Sequence, residues 1–230
     1  MPFLISAGIA FVLIVIIISV IWRISSNRAS LPCPSWLGWL VELDNPLLRN
    51  NRASVIISHL NLRPGMAVLD FGCGPGRLTV PLARQVGPTG TVTAFDIQLA
   101  MLERVRQKAM QENLTNIEFV LGAAGEGKLG RCRFDRALLV TVLGEIPDRH
   151  RLVKEIYDCL KPGGFLSVTE AIADPHFQMM KNVIETSEFA GFMQAGFYGN
   201  RYSYTLDFQK PPEAKPDRET MAPDSEEEKK

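Results

Sequence analysis

The sequence predicts an α/β domain with a mostly parallel sheet and an antiparallel last strand, preceded by one transmembrane helix. Three observations predict it. From residue 53 to residue 208, short apolar runs alternate with amphipathic stretches of ten or so residues. That rhythm builds βαβ units, whose crossovers make the strands parallel. Two final strand-like runs are separated by only three residues, a spacing that suits an antiparallel hairpin. At the other end, Phe3 to Trp22 holds no charged side chain.

The elements follow in order. Ala53 to Leu60 reads as a helix closed by Arg63-Pro64-Gly65, and Ala67 to Phe71 as a buried strand. A glycine-rich turn leads to a helix over Leu78 to Val86, which ends at Gly87-Pro88-Thr89-Gly90. Thr91 to Phe95 is the second strand, rich in β-formers. Ala100 to Glu112 is a charged amphipathic helix, and Ile117 to Leu121 and Arg136 to Thr141 are strands three and four. Arg149 to Leu160 is a helix stopped by Lys161-Pro162-Gly163-Gly164, and Phe165 to Glu170 is the fifth strand. A helix over Phe177 to Phe189 precedes the hairpin of Phe192 to Tyr198 and Tyr202 to Phe208.

The domain boundaries are accordingly 3–22 for the membrane helix, 23–52 for a juxtamembrane segment, 53–209 for the α/β domain and 210–230 for the tail. Twenty residues at about 1.5 Å rise reach across the roughly 30 Å hydrocarbon core. A cleaved signal peptide would show a basic residue ahead of the run and a small-x-small site, whereas the chain starts Met-Pro-Phe-Leu. Arg23, Arg28, Arg49 and Arg52 follow the span, which places the domain on the cytoplasmic side of a single-pass anchor. Trp36, Leu37, Trp39 and Leu40 form an apolar cluster, readable as an interfacial helix on lipid or as a helix packed on the domain. The tail holds four prolines and ends in Ser225-Glu226-Glu227-Glu228-Lys229-Lys230. It lacks the apolar surface to fold and is expected to be disordered.

Composition excludes some partners. Twenty-five basic side chains balance twenty-five acidic ones, so no basic face for nucleic acid is expected. The four cysteines form no C-x-x-C pair and have no histidine at ligand spacing, which argues against a metal site and against a disulfide framework.

The chemistry concentrates after the strands, because ligands of open parallel sheets sit outside the carboxyl ends. Val68-Leu69-Asp70-Phe71-Gly72-Cys73-Gly74-Pro75-Gly76-Arg77-Leu78-Thr79 takes a strand through a glycine turn into a helix. Glycines there admit a ligand without a Cβ in its way, and the helix start offers free N–H groups. Asp96 closes the second strand, twenty positions after Gly76, where a carboxylate can accept from both hydroxyls of a ribose. Loop and acid together point to an adenosine-containing ligand. Arg77 occupies the third glycine position of the dinucleotide fingerprint G-x-G-x-x-G. Asp70 would repel a pyrophosphate and attract the amino group of a methionine moiety. The loop thus favours S-adenosylmethionine over NAD.

Asp70 to Gly76 matches the D-x-G-x-G-x-G motif of class I methyltransferases, and Asp96-Ile97-Gln98-Leu99-Ala100-Met101-Leu102 resembles their second motif. Phe134-Asp135 and Leu160-Lys161-Pro162-Gly163-Gly164 also fit. Over residues 53 to 209 the chain resembles these Rossmann-like S-adenosylmethionine-dependent enzymes, and most of all the small quinone-biosynthesis type. The resemblance implies a seven-stranded sheet with a reversed last hairpin. It implies that Asp70, Gly72, Cys73, Gly74 and Gly76 hold the methionine end, Asp96 the ribose, and Ile97 and Met101 the adenine. Where the family often has Gly-Asp-Ala after the third strand, this chain has Gly122-Ala123-Ala124. Ala123 and Ala124 keep the backbone contact to the ring and lose one polar contact. Thr141, directly after the fourth strand, completes the cofactor-side set.

The acceptor is expected across the ends of strands four and five. Glu145 and His176 are the candidate bases there, needed only if the acceptor carries a proton. Glu145 could instead cap the Asp148 region. A membrane anchor raises the effective concentration of a lipid-soluble acceptor, so the expected partners are membrane lipid and a small lipophilic acceptor: a quinone precursor, prenyl compound or lipid headgroup. The other readings are a soluble or protein acceptor, an inactive membrane-tethered interaction module of the same fold, and an NAD-linked oxidoreductase.

Overall fold

The computed structural model describes residues 49–213, so the expectations for 3–22, for the tryptophan cluster and for the far tail lie outside the described residues. Among the described residues no helix is long and apolar enough to cross a membrane.

The strands are β1 (Ala67–Phe71), β2 (Thr91–Asp96), β3 (Ile117–Leu121), β4 (Phe134–Val140), β5 (Leu160–Ala171), β6 (Met193–Asn200) and β7 (Ser203–Gln209). The helices are α1 (Ala53–His59), α2 (Thr79–Val86), α3 (Leu99–Gln111), α4 (Arg149–Cys159) and α5 (Met180–Phe189), with short 3-10 turns at Arg49–Asn51 and Leu143–Glu145. All seven strands join one sheet in the order β3-β2-β1-β4-β5-β7-β6. The first five are parallel, and β7 runs against both β5 and β6. This is the mixed seven-stranded Rossmann-like sheet expected above. The reversed strand lies inside the sheet, between β5 and the edge strand β6.

Burial explains the apolar runs. Val68, Leu69, Val92, Ala94, Ala137, Leu138, Leu166 and Val168 are inaccessible because both faces of the sheet are covered. The helices cover it with one apolar stripe each. In α3 that stripe is Met101, Leu102, Val105 and Ala109, and in α4 it is Leu152, Val153, Ile156 and Cys159. Asp148 caps α4 by accepting from the Arg151 N–H at 3.0 Å, so Glu145 is not needed for that task.

Three boundaries differ from expectation, each for a tertiary reason. Lys161-Pro162-Gly163-Gly164 lies within β5, not in a turn before it, because Leu160 pairs with Phe134 across a register shift. Gly163 N–H and Gly164 O also bond Lys210. Helix α5 begins at Met180 and not Phe177. Gln178 is diverted into the interior, where its N–H donates to Glu170 and its carbonyl accepts from the Tyr204 hydroxyl at 2.7 Å. Strand β4 stops at Val140, and Thr141 turns into the left-handed region at φ 54°.

The motif pair Phe134-Asp135 and Lys161 meets at the amino edge of the sheet. Lys161 Nζ reaches both Asp135 oxygens at 2.9 Å, and Asp135 accepts the Ala67 N–H at 2.8 Å. These residues position the start of β1 and stand at the opposite edge from the ligand cleft described next.

Candidate active site

The sheet order reverses direction between β1 and β4: β2 lies on one side and β5 on the other. A crevice opens at the carboxyl ends of such a pair because their loops leave in opposite directions. Here it encloses about 780 Å³ including its open mouth.

The loop after β1 forms its floor. Gly72 and Cys73 donate their N–H groups to the Phe95 carbonyl at 2.8 and 3.0 Å, tying the loop to β2. A Cβ on Gly72, whose φ is 71°, would stand 2.5 Å from Val142, so the first glycine is required both by backbone conformation and by the wall behind it. Gly74 differs: a Cβ there would meet nothing within 4 Å, because that position faces the open cleft. Gly72 and Gly74 line the cleft; Gly76 and Cys73 do not. Gly76 approaches Val105 of α3. Cys73 is buried, and burial pushes its thiol well above the ordinary range.

Asp96 lines the next wall. Its Oδ2 accepts the Gly74 N–H at 2.9 Å and its Oδ1 the Gln98 N–H at 2.8 Å. Burial raises its pKa against the pull of those N–H groups. A carboxylate offers about four acceptor sites, and Asp96 lines the cleft. Ile97 and Met101 line the same wall, followed by Gly122 and Ala124 from the loop after β3. Ala123 does not line it.

Asp70 sits behind the loop. It is 3% exposed, and its Oδ2 accepts from Thr79 Oγ1 at 2.6 Å. Burial pushes its pKa up to about 6, with the Thr79 bond and Arg77 opposing. In this conformation it braces the start of α2 and is not part of the cleft wall.

The rest of the lining comes from the ends of β4 and β5, with Thr141, Val142, Glu145, Ile146 and Asp174, and from Phe71 of β1. A β-branched residue with positive φ is strained, and Thr141 carries that strain at the wall itself. His176 is 4% exposed and lies behind this wall, with Nδ1 3.8 Å from Glu145 Oε1 and 3.9 Å from Asp174 Oδ1. The two sequence candidates, thirty-one positions apart, are thus brought together. Gly144 makes this possible, since a Cβ there would fall 1.9 Å from the His176 carbonyl oxygen and 2.8 Å from Gln178 Nε2. Gly144→Ala is therefore expected to force the two loops apart and to cost about 3 kcal/mol, the upper end for overpacking. A fall in the thermal midpoint will check it; an unchanged midpoint would contradict this packing.

Sequence reasoning did not assign Phe71, Phe95, Gln98 or Ile146 to the site. Phe71 and Phe95 are register partners at the strand ends and stack with ring centroids 4.4 Å apart. Their positions beside the two motifs were the available signal. Glu170 lies near the end of β5 and is not part of the cleft lining. It is 1% exposed, its Oε2 accepts the Gln178 N–H at 3.1 Å, and its Oε1 has no hydrogen-bond partner among the described residues. Burial, with help from Asp174, pushes its pKa up to about 8.

In fold, glycine loop and cleft the domain is similar to class I methyltransferases, whose cofactor is S-adenosylmethionine. Residues 68–164 match the family model described as a methyltransferase domain. The demethylmenaquinone methyltransferase of Listeria welshimeri is 32% identical over 124 residues, covering 54% of this chain and 52% of that protein. The chain thus spans about half the length of the curated relatives it matches. Among solved structures, an S-adenosylmethionine-dependent methyltransferase from Aquifex aeolicus superposes with a TM-score of 0.69 at 19% identity, over 78% of this chain and all of that one. The cyclase SpnF gives 0.62 at 18% identity, over 70% of this chain and 80% of that one. At these identities the two structures establish the fold alone.

Proposed function

We propose that the protein transfers a methyl group from S-adenosylmethionine to a small lipophilic acceptor, from a position anchored at the cytoplasmic side of a membrane by residues 3–22. The observation that carries the reading is the Asp96 carboxylate, held by two backbone N–H groups beside an open glycine floor.

The residues present suit this cofactor. Asp96 can accept from the ribose hydroxyls, Ile97, Met101 and the Gly122–Ala124 backbone can flank the adenine, and Gly72 and Gly74 leave room for the methionine end. Asp70 acts on that end through the loop it braces. When bound, S-adenosylmethionine supplies an electrophilic methyl group on a sulfonium. The chain's part is then to align the acceptor, since in-line displacement depends on orientation. Phe71, Val142 and Ile146 form an apolar seat for it, and the relatives named demethylmenaquinone methyltransferases support a quinone-like acceptor.

Glu145 is the base of choice if the acceptor carries a proton. It reaches the cleft, whereas His176 lies behind it and positions its carboxylate. Glu145→Gln is expected to lower kcat by roughly 100-fold or more on a protonated acceptor, the range for lost general-base catalysis, and to leave cofactor affinity within about twofold. Equal losses in both would identify a structural role instead.

The test of the function is transfer of labelled methyl from S-adenosylmethionine to a prenylated naphthoquinol, to membrane lipid extract and to water-soluble phenols and amines. Label in the organic phase is the expected result. Label only in water-soluble acceptors would overturn the lipophilic reading, and no transfer by a folded, cofactor-binding protein would favour the interaction-module reading.

A further inference from the structure

The described chain begins on the same edge of the sheet onto which the cleft opens. The 3-10 turn Arg49–Asn51 is fastened there at two points. Asn50 Nδ2 donates to the Ser203 carbonyl at 3.2 Å, at the turn between β6 and β7. Arg77 of the glycine loop donates to the Asn51 carbonyl at 2.6 Å. Both partners belong to the carboxyl edge: Arg77 follows β1, and Ser203 pairs with Ala171, the last residue of β5. Whatever precedes residue 49 therefore leaves the domain beside the cleft mouth. In the sequence, only 26 residues separate this point from the end of the apolar run at Trp22, and they include Trp36 and Trp39.

The loops of that edge carry large apolar side chains in the open. Ile97 and Leu99 follow β2 and are 57% and 56% exposed; Ile172 and Met179 follow β5 and are 41% and 63% exposed. Tyr202, at the β6–β7 turn, is 48% exposed, and its carbonyl accepts the Ile172 N–H at 2.7 Å. The guanidinium of Arg201 stands 4.6 Å from the Tyr202 ring centroid. An amphipathic aromatic beside a cation is the pairing favoured at the headgroup level of a bilayer. Ile97 is at once part of this rim and part of the cleft wall.

We infer that the carboxyl edge of the sheet docks on the bilayer surface, with Leu99, Ile172, Met179 and Tyr202 in the interface and the cleft mouth facing the lipid. The inference rests on the membrane reading above and adds an orientation to it. A lipophilic acceptor then passes from bilayer to cleft without crossing water. The short tether and the apolar rim act on the same edge, so binding of one raises the effective concentration of the other.

The experiment uses the full chain with Cys33 and Cys132 replaced by serine, in vesicles of phosphatidylcholine and phosphatidylglycerol. A fluorophore is attached at Ile172→Cys, at Met179→Cys or, as the control at the amino edge, at Asn113→Cys. Vesicle flotation is measured first. Nitroxide-tailed lipids are expected to quench the labels at 172 and 179 at least twofold more than the label at 113. Flotation without that difference would overturn the orientation while leaving the anchor intact. Labels shielded from aqueous iodide yet untouched by nitroxide lipid would show that residues 31–48 cover the rim, and would overturn it as well. A chain that does not float would remove the membrane reading and the orientation together, whereas methyl transfer to the naphthoquinol is scored independently.

Discussion

Asp96→Ala is expected to weaken S-adenosylmethionine binding by tenfold to more than a hundredfold, measured by calorimetric titration. Hydrogen bonds to a charged acceptor are worth about 1.5–3 kcal/mol each, and each 1.4 kcal/mol is tenfold in affinity. The substitution removes more than the bonds proposed to reach a ribose. It also releases the N–H groups of Gly74 and Gln98, which Asp96 holds at 2.9 and 2.8 Å, and with them the shape of the floor. Asparagine is not a conservative replacement here. Both oxygens of Asp96 accept backbone N–H groups, while Asn offers one oxygen and would set its NH₂ against the other donor. Asp96→Asn is therefore expected to lose most of what Asp96→Ala loses. Wild-type affinity in either variant, with the fold intact by circular dichroism, would remove Asp96 from the binding site.

The second large effect is a pH dependence of stability set by Glu170. Its pKa rises from about 4.5 to about 8 on folding because the carboxyl is buried. The native state therefore binds a proton that the unfolded state releases between those values, and stability falls as pH rises through that window. The full contribution is present below about pH 4.5 and is lost above about pH 8. At 1.36 kcal/mol per pH unit, the change is on the order of 4–5 kcal/mol. Glu170→Gln keeps an acceptor for the Gln178 N–H and cannot ionise. Urea unfolding is expected to give similar stabilities for wild type and variant at pH 4.5, and a variant several kcal/mol more stable at pH 9. Parallel curves across that range would show that Glu170 ionises freely in the folded protein. The functional consequence lies nearby, since Gln178 also holds the His176 carbonyl at 2.7 Å, and His176 backs Glu145.

How much of this was legible in the chain depends on the range of the interaction involved. The strands were readable because burial on both faces demands unbroken apolar runs, as at Ala67–Phe71 and Thr91–Asp96. Gly72 and Gly74 were readable because a tight turn with positive φ favours glycine, and Asp96 because it closes a strand at the carboxyl edge, although 22 positions separate it from Gly74. Asp70 and Cys73 were equally visible in the motif, yet only the folded chain shows that they face the interior and serve the loop from behind. Nothing local distinguishes a carboxylate that faces a ligand from one that braces a helix.

By itself, then, the sequence determined the α/β class, the reversed final hairpin, the glycine loop and the apolar run ahead of the domain. Each follows from periodicity, turn chemistry or composition over neighbouring residues. The tertiary structure alone decided that Gly144 lets Glu145 and His176 meet, and that Glu170 is buried with one oxygen unpaired among the described residues. It alone showed that α5 starts late because Gln178 turns inward, and that Asn50 and Asn51 are tied to Ser203 and Arg77 at the carboxyl edge of the sheet. Those contacts join residues from 8 to 153 positions apart, and what selects them is the close packing of loops at one sheet edge, which no stretch of neighbouring residues encodes.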